Sequence, residues 1–315
     1  MKNHLKTVAI ALTTIFQIAS CSKDDGGSEM GAESYETTFK ITDAPIDNAN
    51  VEAVFVTVSD IKVDGTSLEG FNKTTFDLAA LVNEQTKTLG NLQLEAGSYS
   101  NIELELDYDM DASGNVPGCY VELVNGEKDK LEAASNRINI TDTYEIFASN
   151  TNEIILDFDL RKTIKEEQGT VSSNFDFVTM TELSAGIRTV NKEATGKIYG
   201  TANDTQNPSD KIIVYAYEKG TFDAEVETKG KGDSNITFAN AVTSSEVSGF
   251  NNEYSLNFLA EGEYELIFAS YSEEDDVLTF SSLLEVESTT GLNLGALSVT
   301  SAIQLSANVT ITGTK

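Results

Sequence analysis

Apolar and polar residues alternate with a period of two along most of this chain. In residues 102–110, apolar side chains occupy every second position and acidic side chains occupy the positions between them. This alternation predicts a β-strand with one buried face and one solvated face. Similar runs predict further strands at residues 154–160, 212–217, 254–259, 264–270 and 299–311.

Residues 54–58 have a different pattern, because both faces of the predicted strand are apolar or small. Such a strand is expected at the centre of a sheet. Helix signals are weak: single helical turns are predicted only at residues 77–81, with Asp77 as the N-cap, and at residues 130–135. Many short strands with Gly-containing turns between them predict an all-β fold of β-sandwich type.

A polar segment at residues 191–196 ends a strand-like run and predicts a domain boundary. The chain has 315 residues, which is enough for two domains of roughly 150 residues each. We therefore expect one β-sandwich over residues 35–190 and a second over residues 191–315.

Residues 1–20 have the pattern of an export signal. A positive head containing Lys2 and Lys6 precedes an apolar stretch at residues 8–19, which is shorter than the roughly 20 residues that a membrane span needs. Ile18-Ala19-Ser20-Cys21 then resembles the lipobox of bacterial lipoproteins. The resemblance implies that the signal is cleaved before Cys21 and that lipid on Cys21 attaches the protein to a membrane. An ordinary cleaved signal followed by a chance cysteine is the alternative.

The residues after Cys21 resemble a second signal, which determines where such a protein is located. Ser22-Lys23-Asp24-Asp25 resembles the surface-export signal of Bacteroidetes lipoproteins, which implies an outer-membrane lipoprotein that faces the exterior. If these residues are only a solvated tether, the protein faces the periplasm instead. Residues 21–34 are rich in Gly, Ser and acidic residues and are expected to be a flexible tether.

Composition excludes several functions. The chain has 51 acidic residues against 21 Lys and Arg, a net charge of −30 that argues against nucleic acid as a partner. Cleavage of the signal would remove Lys2, Lys6 and His4, which is the single histidine, and would take the net charge to −32. Ser-His-Asp and Cys-His catalysis and histidine metal sites are then excluded. Cys119 is expected to be a small buried residue.

One constellation has the spacing of a calcium loop. Asp107, Asp109 and Asp111 precede Ser113-Gly114-Asn115, and calcium prefers oxygen ligands of this kind. It is not an EF-hand, because Ala112 and Gly118 stand where Gly and Glu are needed. Same-face carboxylates on a straight strand are about 6.6 Å apart and do not converge on one ion. Calcium binding therefore requires the chain to curl by about Asp109, and a solvated strand edge is the alternative.

An ordered set of short motifs in the first predicted domain also carries a family resemblance. The motifs are Thr42-Asp43-Ala44-Pro45, Phe76-Asp77-Leu78-Ala79-Ala80-Leu81, Leu89-Gly90, Leu94-Glu95-Ala96-Gly97-Ser98-Tyr99, Ile155-Leu156-Asp157-Phe158-Asp159 and Lys162-Thr163-Ile164. This set resembles domain-of-unknown-function family 4382. The resemblance implies an exported, lipid-anchored, all-β bacterial domain with no assigned activity. Within the first motif, Pro45 fixes a turn and Asp43 can accept hydrogen bonds from nearby backbone amides.

The second predicted domain resembles the carboxypeptidase-regulatory or transthyretin-like β-sandwiches. The residues that carry this resemblance are Gly196-Lys197-Ile198-Tyr199-Gly200, Ile212-Ile213-Val214-Tyr215-Ala216-Tyr217, Asn252-Glu253-Tyr254-Ser255-Leu256 and Leu259-Ala260-Glu261-Gly262-Glu263-Tyr264-Glu265-Leu266. Glu253 and Glu261 depart from the pattern, since Gly and Pro are usual there. The resemblance implies a spacer or a binding accessory rather than a catalyst.

Together these observations predict a lipid-anchored, non-enzymatic envelope protein that binds or spaces an extracellular partner, either a polysaccharide or another envelope protein. One alternative is a glycan hydrolase that uses two carboxyl groups about 5–9 Å apart in a cleft, one with a raised pKa. A second alternative is a calcium-dependent adhesion module built on Asp107, Asp109 and Asp111.

Overall fold

β-Strands dominate the chain, as the period-two alternation predicts, and the all-β fold class is confirmed. The computed structural model describes residues 33–44, 50–149, 151–167, 174–204, 209–274 and 277–315. The predicted signal, Cys21, the predicted tether up to residue 32 and Pro45 lie outside the described residues. No helix in the described part of the chain is long and apolar enough to cross a bilayer.

The first sandwich contains two large packed sheets and two smaller sheets of two strands each. Its strands are β1 (Ser34–Thr42), β2 (Val51–Val63), β3 (Thr66–Ser67), β4 (Thr74–Asp77), β5 (Lys87–Glu95), β6 (Gly97–Tyr99), β7 (Ile102–Leu106), β8 (Tyr120–Leu123), β9 (Lys128–Lys130), β10 (Arg137–Ile140), β11 (Tyr144–Ile146), β12 (Asn152–Phe158), β13 (Ile164–Glu167), β14 (Asn174–Phe177) and β15 (Ile187–Asn191). One sheet has the order β15-β12-β1-β5, with β1 parallel to β12. The other has the order β10-β7-β2-β8-β9, with β3 and β4 also paired to β2.

The core of the first sandwich lies between these sheets. Phe39 on β1 and Leu156 on β12 are buried on one side of this core. Val56 on β2 and Leu104 on β7 are buried on the other, and none of the four is more than 1% exposed. β2 lies inside its sheet with partners on both sides, which confirms the central position predicted for residues 54–58. Both of its faces are also covered, since Val56 and Thr57, which point to opposite faces, are fully buried.

The second half of the chain, called here the second sandwich, is a single sheet that curls back on itself around an inner apolar cluster. Its strands are β16 (Thr195–Asp204), β17 (Lys211–Glu218), β18 (Thr243–Glu246), β19 (Glu253–Ala260), β20 (Gly262–Glu274), β21 (Val277–Ser288), β22 (Leu297–Val299), β23 (Gln304–Ser306) and β24 (Val309–Thr314). The order is β18-β17-β20-β21-β24-β16-β19, with β22 paired to β20 and β23 to β16. The two ends of this order approach each other, since the backbone N–H of Ser255 on β19 donates to Ser245 Oγ on β18 at 3.0 Å.

β17 is buried on both faces. Val214 packs in an inner cluster with Leu256 and Phe268, whereas Tyr215 packs on the opposite face in an aromatic cluster with Phe238. The rings of Tyr215 and Phe238 are stacked, with centroids 4.2 Å apart. The segment between β17 and β18 supplies Phe238 and so covers a face that would otherwise be exposed.

Short helices punctuate the strands and were not predicted. They are α1 (Leu160–Thr163), α2 (Met180–Ala185) and α3 (Ala224–Glu227), with a 3₁₀ turn at Lys192–Ala194. The start of α2 carries a visible signal, because Thr179 and Glu182 form a capping box. The helical turn predicted at residues 130–135 is wrong, because Lys130 ends β9 and residues 131–135 contain no helix. At residues 77–81 the chain makes a single turn after β4, in which the Leu81 N–H donates to the Leu78 carbonyl and the Asp77 carboxylate accepts the Ala79 and Ala80 N–H groups.

Two predicted strands are shorter than their alternation suggests. The strand at residues 102–110 ends at Leu106, because Asp107 Oδ1 accepts the backbone N–H groups of Asp109 and Met110 and turns the chain. Residues 299–311 are interrupted by a turn at Ala302, whose φ is 59°, and form parts of β22, β23 and β24. Alternation alone does not show these turns, since they leave the apolar spacing intact.

The predicted boundary at residue 191 lies between two sets of buried residues. The first hydrophobic cluster ends at Ile187 and the next begins at Ile198. Residues Ser34–Lys315 nevertheless form one compact unit. Polar contacts join the halves: Arg161 Nε donates to Ser244 Oγ at 3.0 Å, and Arg188 Nη1 donates to the Phe258 carbonyl at 2.7 Å.

The turn after β7 depends on a close backbone approach at Gly118. A Cβ atom at Gly118 would lie 2.2 Å from the Asp107 carbonyl oxygen and 2.7 Å from that of Met110. We expect Gly118→Ala to lower the free energy of unfolding by about 1–3 kcal/mol in urea denaturation, because backbone atoms must move to admit the methyl group. Gly249→Ala is the matched control, since its Cβ would meet nothing within 4 Å. Equal effects of the two substitutions would contradict this account.

Candidate functional site

A groove of about 630 Å³ runs along the outward face of β16. This groove, called here the Tyr199 groove, is lined by residues from both halves of the chain. They are Asn83, Lys197, Tyr199, Gly200, Thr201, Glu246, Ser248, Asn251, Glu253, Tyr254, Ser255, Ser306 and Asn308. The volume falls in the range of about 300–1,000 Å³ that is usual for small-molecule sites.

Strand alternation explains why Tyr199 points into the groove. Ile198, Gly200 and Ala202 on β16 are buried, so Tyr199 and Thr201, which alternate with them, face outward. Gly200 allows the neighbouring chain to pass close, since a Cβ there would lie 2.3 Å from the Ala307 carbonyl oxygen. The Tyr199 side chain is 39% exposed, a high value for a tyrosine within a sheet.

Small neighbours leave the Tyr199 ring uncovered. In the register of the sheet, Tyr199 lies opposite Ser255 on β19 and opposite Ser306 on β23. Because serine side chains are short, neither neighbour covers the ring. A flat apolar surface is therefore bordered on both sides by hydroxyl groups.

Charged and amide side chains complete the border. The Lys197 ammonium lies over one face of the Tyr199 ring, 5.9 Å from its centroid, and pairs with Glu84 at 3.0 Å. Asn308 Oδ1 accepts the Thr201 backbone N–H at 3.0 Å, which fixes this amide at the groove wall. An aromatic face surrounded by hydroxyl, amide and carboxylate groups can stack against the C–H face of a sugar and bond its hydroxyls.

A second concentration of charge is buried where β12 leads into α1. Asp159 pairs with Arg161 at 2.8 Å, and the two side chains are 7% and 1% exposed. Asp157 pairs with Arg188 at 2.6 Å. The ammonium of Lys162 lies 3.4 Å from Asp159 and donates to the Ala241 carbonyl. Burial lowers the pKa of Lys162 against the opposing effect of Asp159.

Asp43 lies beside these pairs, but no lysine or arginine among the described residues forms an ion pair with it. Its Oδ1 accepts the Leu160 backbone N–H at 3.1 Å, whereas its Oδ2 is buried with no hydrogen-bond partner among the described residues. Burial first, and then the neighbouring carboxylates of Asp159 and Asp157, hold the pKa of Asp43 well above its usual range. Asp43 therefore bonds a backbone amide, as predicted, but one distant in sequence.

The space beside Asp43 is too small for catalysis on a glycan. The cavity that Asp43 and Asp157 line has a volume of about 20 Å³. A cavity of this size admits one water molecule, which needs about 10–15 Å³. The carboxyl group with the strongly raised pKa is thus shut away from any sugar, and it offers no support for the hydrolase alternative.

The predicted calcium residues are used separately. Asp107 pairs with Lys73 at 2.7 Å, and Asp109 pairs with Lys130 at 2.9 Å. Asp111 Oδ1 accepts the backbone N–H groups of Ser113 and Asn115. Hydrogen bonds from the side chain and the backbone N–H of Asn115 lower the pKa of Asp111. The chain does curl at Asp107, as calcium binding would require.

However, that curl is made by carboxylates acting as hydrogen-bond acceptors. In the described residues, no group of three acidic, histidine or cysteine side chains is placed to hold a metal ion. Calcium binding at Asp107, Asp109 and Asp111 stays a prediction.

Cys119 is fully buried, as the sequence predicts. Its Sγ accepts the Thr57 backbone N–H at 3.3 Å, and burial raises the pKa of the thiol to about 12. It therefore stays a protonated thiol at neutral pH and is not a nucleophile. In contrast, the Tyr199 groove was missed by sequence reasoning. The feature that marks the groove is a tyrosine with a serine opposite it on each neighbouring strand. This feature cannot be recognised until the register of the strands is known.

Asp43 generates a prediction about pH. Because its pKa is higher in the folded chain than in the unfolded chain, its contribution to stability is fully present below the unfolded pKa and is lost as the pH rises through the folded pKa. We expect Asp43→Asn to raise the free energy of unfolding at neutral pH by on the order of 1 kcal/mol and to flatten its pH dependence, because the amide keeps an acceptor for Leu160 without a buried charge. Urea denaturation at acid and neutral pH measures this.

Asp111→Asn is the control of opposite sign. Because the pKa of Asp111 is lower in the folded chain than in the unfolded chain, its carboxylate stabilises the fold above the unfolded pKa. That contribution is lost as the pH falls through the folded pKa. The substitution should therefore reduce stability at neutral pH. A loss of stability at neutral pH in Asp43→Asn would contradict the account of the buried carboxyl group.

Comparisons with known proteins identify the first sandwich. No curated protein matches the chain. Among solved structures, the Bacillus anthracis TIE protein is 11% identical over 88% of this chain and 34% of its own, with a TM-score of 0.19, so the chain spans about a third of that protein. The major pilin T-13 of Streptococcus pyogenes is 9% identical over 89% of this chain and 96% of its own, with a TM-score of 0.18.

A putative adhesin from Bacteroides ovatus is 11% identical over 84% of this chain and 86% of its own, with a TM-score of 0.17. These values are too low to support an inference about function. The resemblance of residues 191–315 to carboxypeptidase-regulatory sandwiches stays a prediction. Residues 36–175, in contrast, match the family described as a domain of unknown function (DUF4382). The first sandwich of this chain is therefore a DUF4382 domain.

Proposed function

We propose that this protein is a lipid-anchored, non-enzymatic binding protein of the cell envelope, and that its second sandwich binds a polysaccharide in the Tyr199 groove. The observation that carries the proposal is the exposed Tyr199 ring between Ser255 and Ser306. Burying such a ring against a ligand removes apolar surface from water, while the serines and amides around it can bond hydroxyl groups.

The chemistry of the groove favours a sugar over a protein partner. An interface with another folded protein is usually richer in aromatic and apolar side chains at its centre. The Tyr199 groove has one exposed ring, and most other lining side chains are hydroxyls, amides and carboxylates. An envelope protein remains the alternative partner, and a binding screen that captures protein but no glycan would favour it.

The proposed anchor is lipid on Cys21. Bacterial lipoproteins carry two or three acyl chains on this cysteine, and attachment through more than one chain is stable. A tether at residues 21–34 would reach at most about 45 Å when fully extended. It would let the sandwiches extend from the membrane toward extracellular glycan, with Lys23-Asp24-Asp25 as the proposed signal for the outer surface.

Tyr199 provides the direct test of the groove. We expect Tyr199→Ala to weaken glycan binding by about thirtyfold, or about 2 kcal/mol, because it removes the stacking surface. Tyr199→Phe should bind like the original protein, because it keeps the ring. A glycan array with the fragment from Met30 onward would identify a ligand, and calorimetry would give its affinity. The proposal fails if no glycan binds, or if binding does not depend on the ring.

The anchor has a separate test. Mass spectrometry of the protein purified from its native host should show a chain that begins at Cys21 and carries the added mass of acyl groups. Cys21→Ser should leave the protein unacylated and in the soluble fraction. An unmodified thiol at Cys21 would refute the anchor, and protease treatment of intact cells would distinguish the outer surface from the periplasm.

A further inference from the structure

We infer that Phe250 is a second stacking surface for the ligand of the Tyr199 groove, and that this ligand is an uncharged glycan chain of more than one sugar. The inference rests on the proposed function of the groove. It adds a residue, a ligand charge and a ligand length to that proposal.

The exposure of Phe250 is extreme. Its side chain is 98% exposed, although burying a Phe side chain contributes about 1.5–3 kcal/mol. Single exposed apolar residues are common on protein surfaces, so exposure alone indicates nothing. The position of Phe250 is what matters: Ser248, Asn251 and Glu253, which lie on either side of it in the same loop, line the groove.

The loop that carries Phe250 is held by its own hydrogen bonds. The Ser248 N–H donates to the Glu253 carbonyl, and the Asn252 N–H donates to the Ser248 carbonyl, both at 2.8 Å. The Phe250 N–H donates to Ser248 Oγ at 3.3 Å. Asn252 has a φ of 57°, in the left-handed region that asparagine tolerates.

The loop therefore presents Phe250 without any apolar contact to hold it. Hydrogen bonds fix the backbone on both sides of the ring, so a ligand that packs against it must order the side chain but not the loop. An aromatic side chain on such a loop, beside a polar groove, can stack against a chain that leaves the groove.

The charges of the groove disfavour an acidic ligand. Glu246 and Glu253 line it, and the ammonium of Lys197 is already paired with Glu84 at 3.0 Å. Lys211 likewise pairs with Glu246 at 3.1 Å. Since the whole chain carries a net charge of −30, an anionic polysaccharide would be repelled at long range. Uncharged hydroxyl groups suit the serine, asparagine and glutamate side chains instead.

The two rings set the length of the ligand. Tyr199 lies on β16, whereas Phe250 lies in the loop between β18 and β19. A ligand that contacts both must extend from β16 to that loop. The contribution of Phe250 should therefore appear only when the glycan is long enough.

The experiment measures affinity against glycan length with the full chain purified in mild detergent. The probes are short and long members of the malto-, xylo- and manno-oligosaccharide series, with oligogalacturonides as acidic probes. We expect at least one uncharged series to bind, more tightly with length, and oligogalacturonides to bind more weakly. Phe250→Ala should weaken the longest bound probe about tenfold and leave the shortest unchanged, whereas Tyr199→Ala should weaken both.

Phe250→Tyr, which keeps an aromatic ring, should bind like the original protein. All variants should keep the original melting temperature, because neither ring is part of a core. If Tyr199→Ala weakens binding but Phe250→Ala has no effect at any length, the inference is overturned and the proposed function stands. Tighter binding of oligogalacturonides would also overturn it. If neither an uncharged series nor the oligogalacturonides bind, the proposed function fails as well.

Discussion

The relation between the two sandwiches depends on one buried guanidinium group. Arg161 is charged at every accessible pH, and its side chain is almost fully buried, so its charge must be met by partners within the protein. Asp159 supplies the counter-charge and accepts one of the five N–H groups, while Ser244 and the Phe238 carbonyl of the second sandwich accept two more. The ring of Tyr215 lies 5.0 Å from the guanidinium carbon and covers it.

Because the buried guanidinium group must be hydrogen-bonded, the two sandwiches are held in one relative position. An apolar contact could slide by an ångström at small cost, whereas a buried cation loses several kcal/mol when one of its partners moves away. Arg188 repeats the arrangement by bonding Asp157 on one side and the Phe258 carbonyl on the other. The Tyr199 groove benefits from this precision, because Asn83 comes from the first sandwich and the groove's lysine pairs with Glu84 from the same loop.

The sequence carries most of the fold because strands with one wet face have a simple alternation. It locates β2, β12, β17, β19 and β20, and it identifies the DUF4382 motifs. It does not locate the turn at Asp107, because a carboxylate that caps a turn and one that faces water leave the same alternation. Nor does it locate the groove, because a tyrosine on β16 is exposed only through its cross-strand serines, and pairing partners lie more than fifty residues away.

The position of β1 has a mechanical consequence for an anchored protein. β1 begins at Ser34, immediately after the predicted tether, and it lies between β12 and β5 rather than at the edge of its sheet. A pull applied at Ser34 along the axis of β1 would load the hydrogen bonds to both neighbouring strands. The backbone hydrogen bonds to β12 and β5 would then bear load together in shear, instead of opening one after another like a zipper. An inner strand therefore resists such a pull better than an edge strand, which is held on one side only.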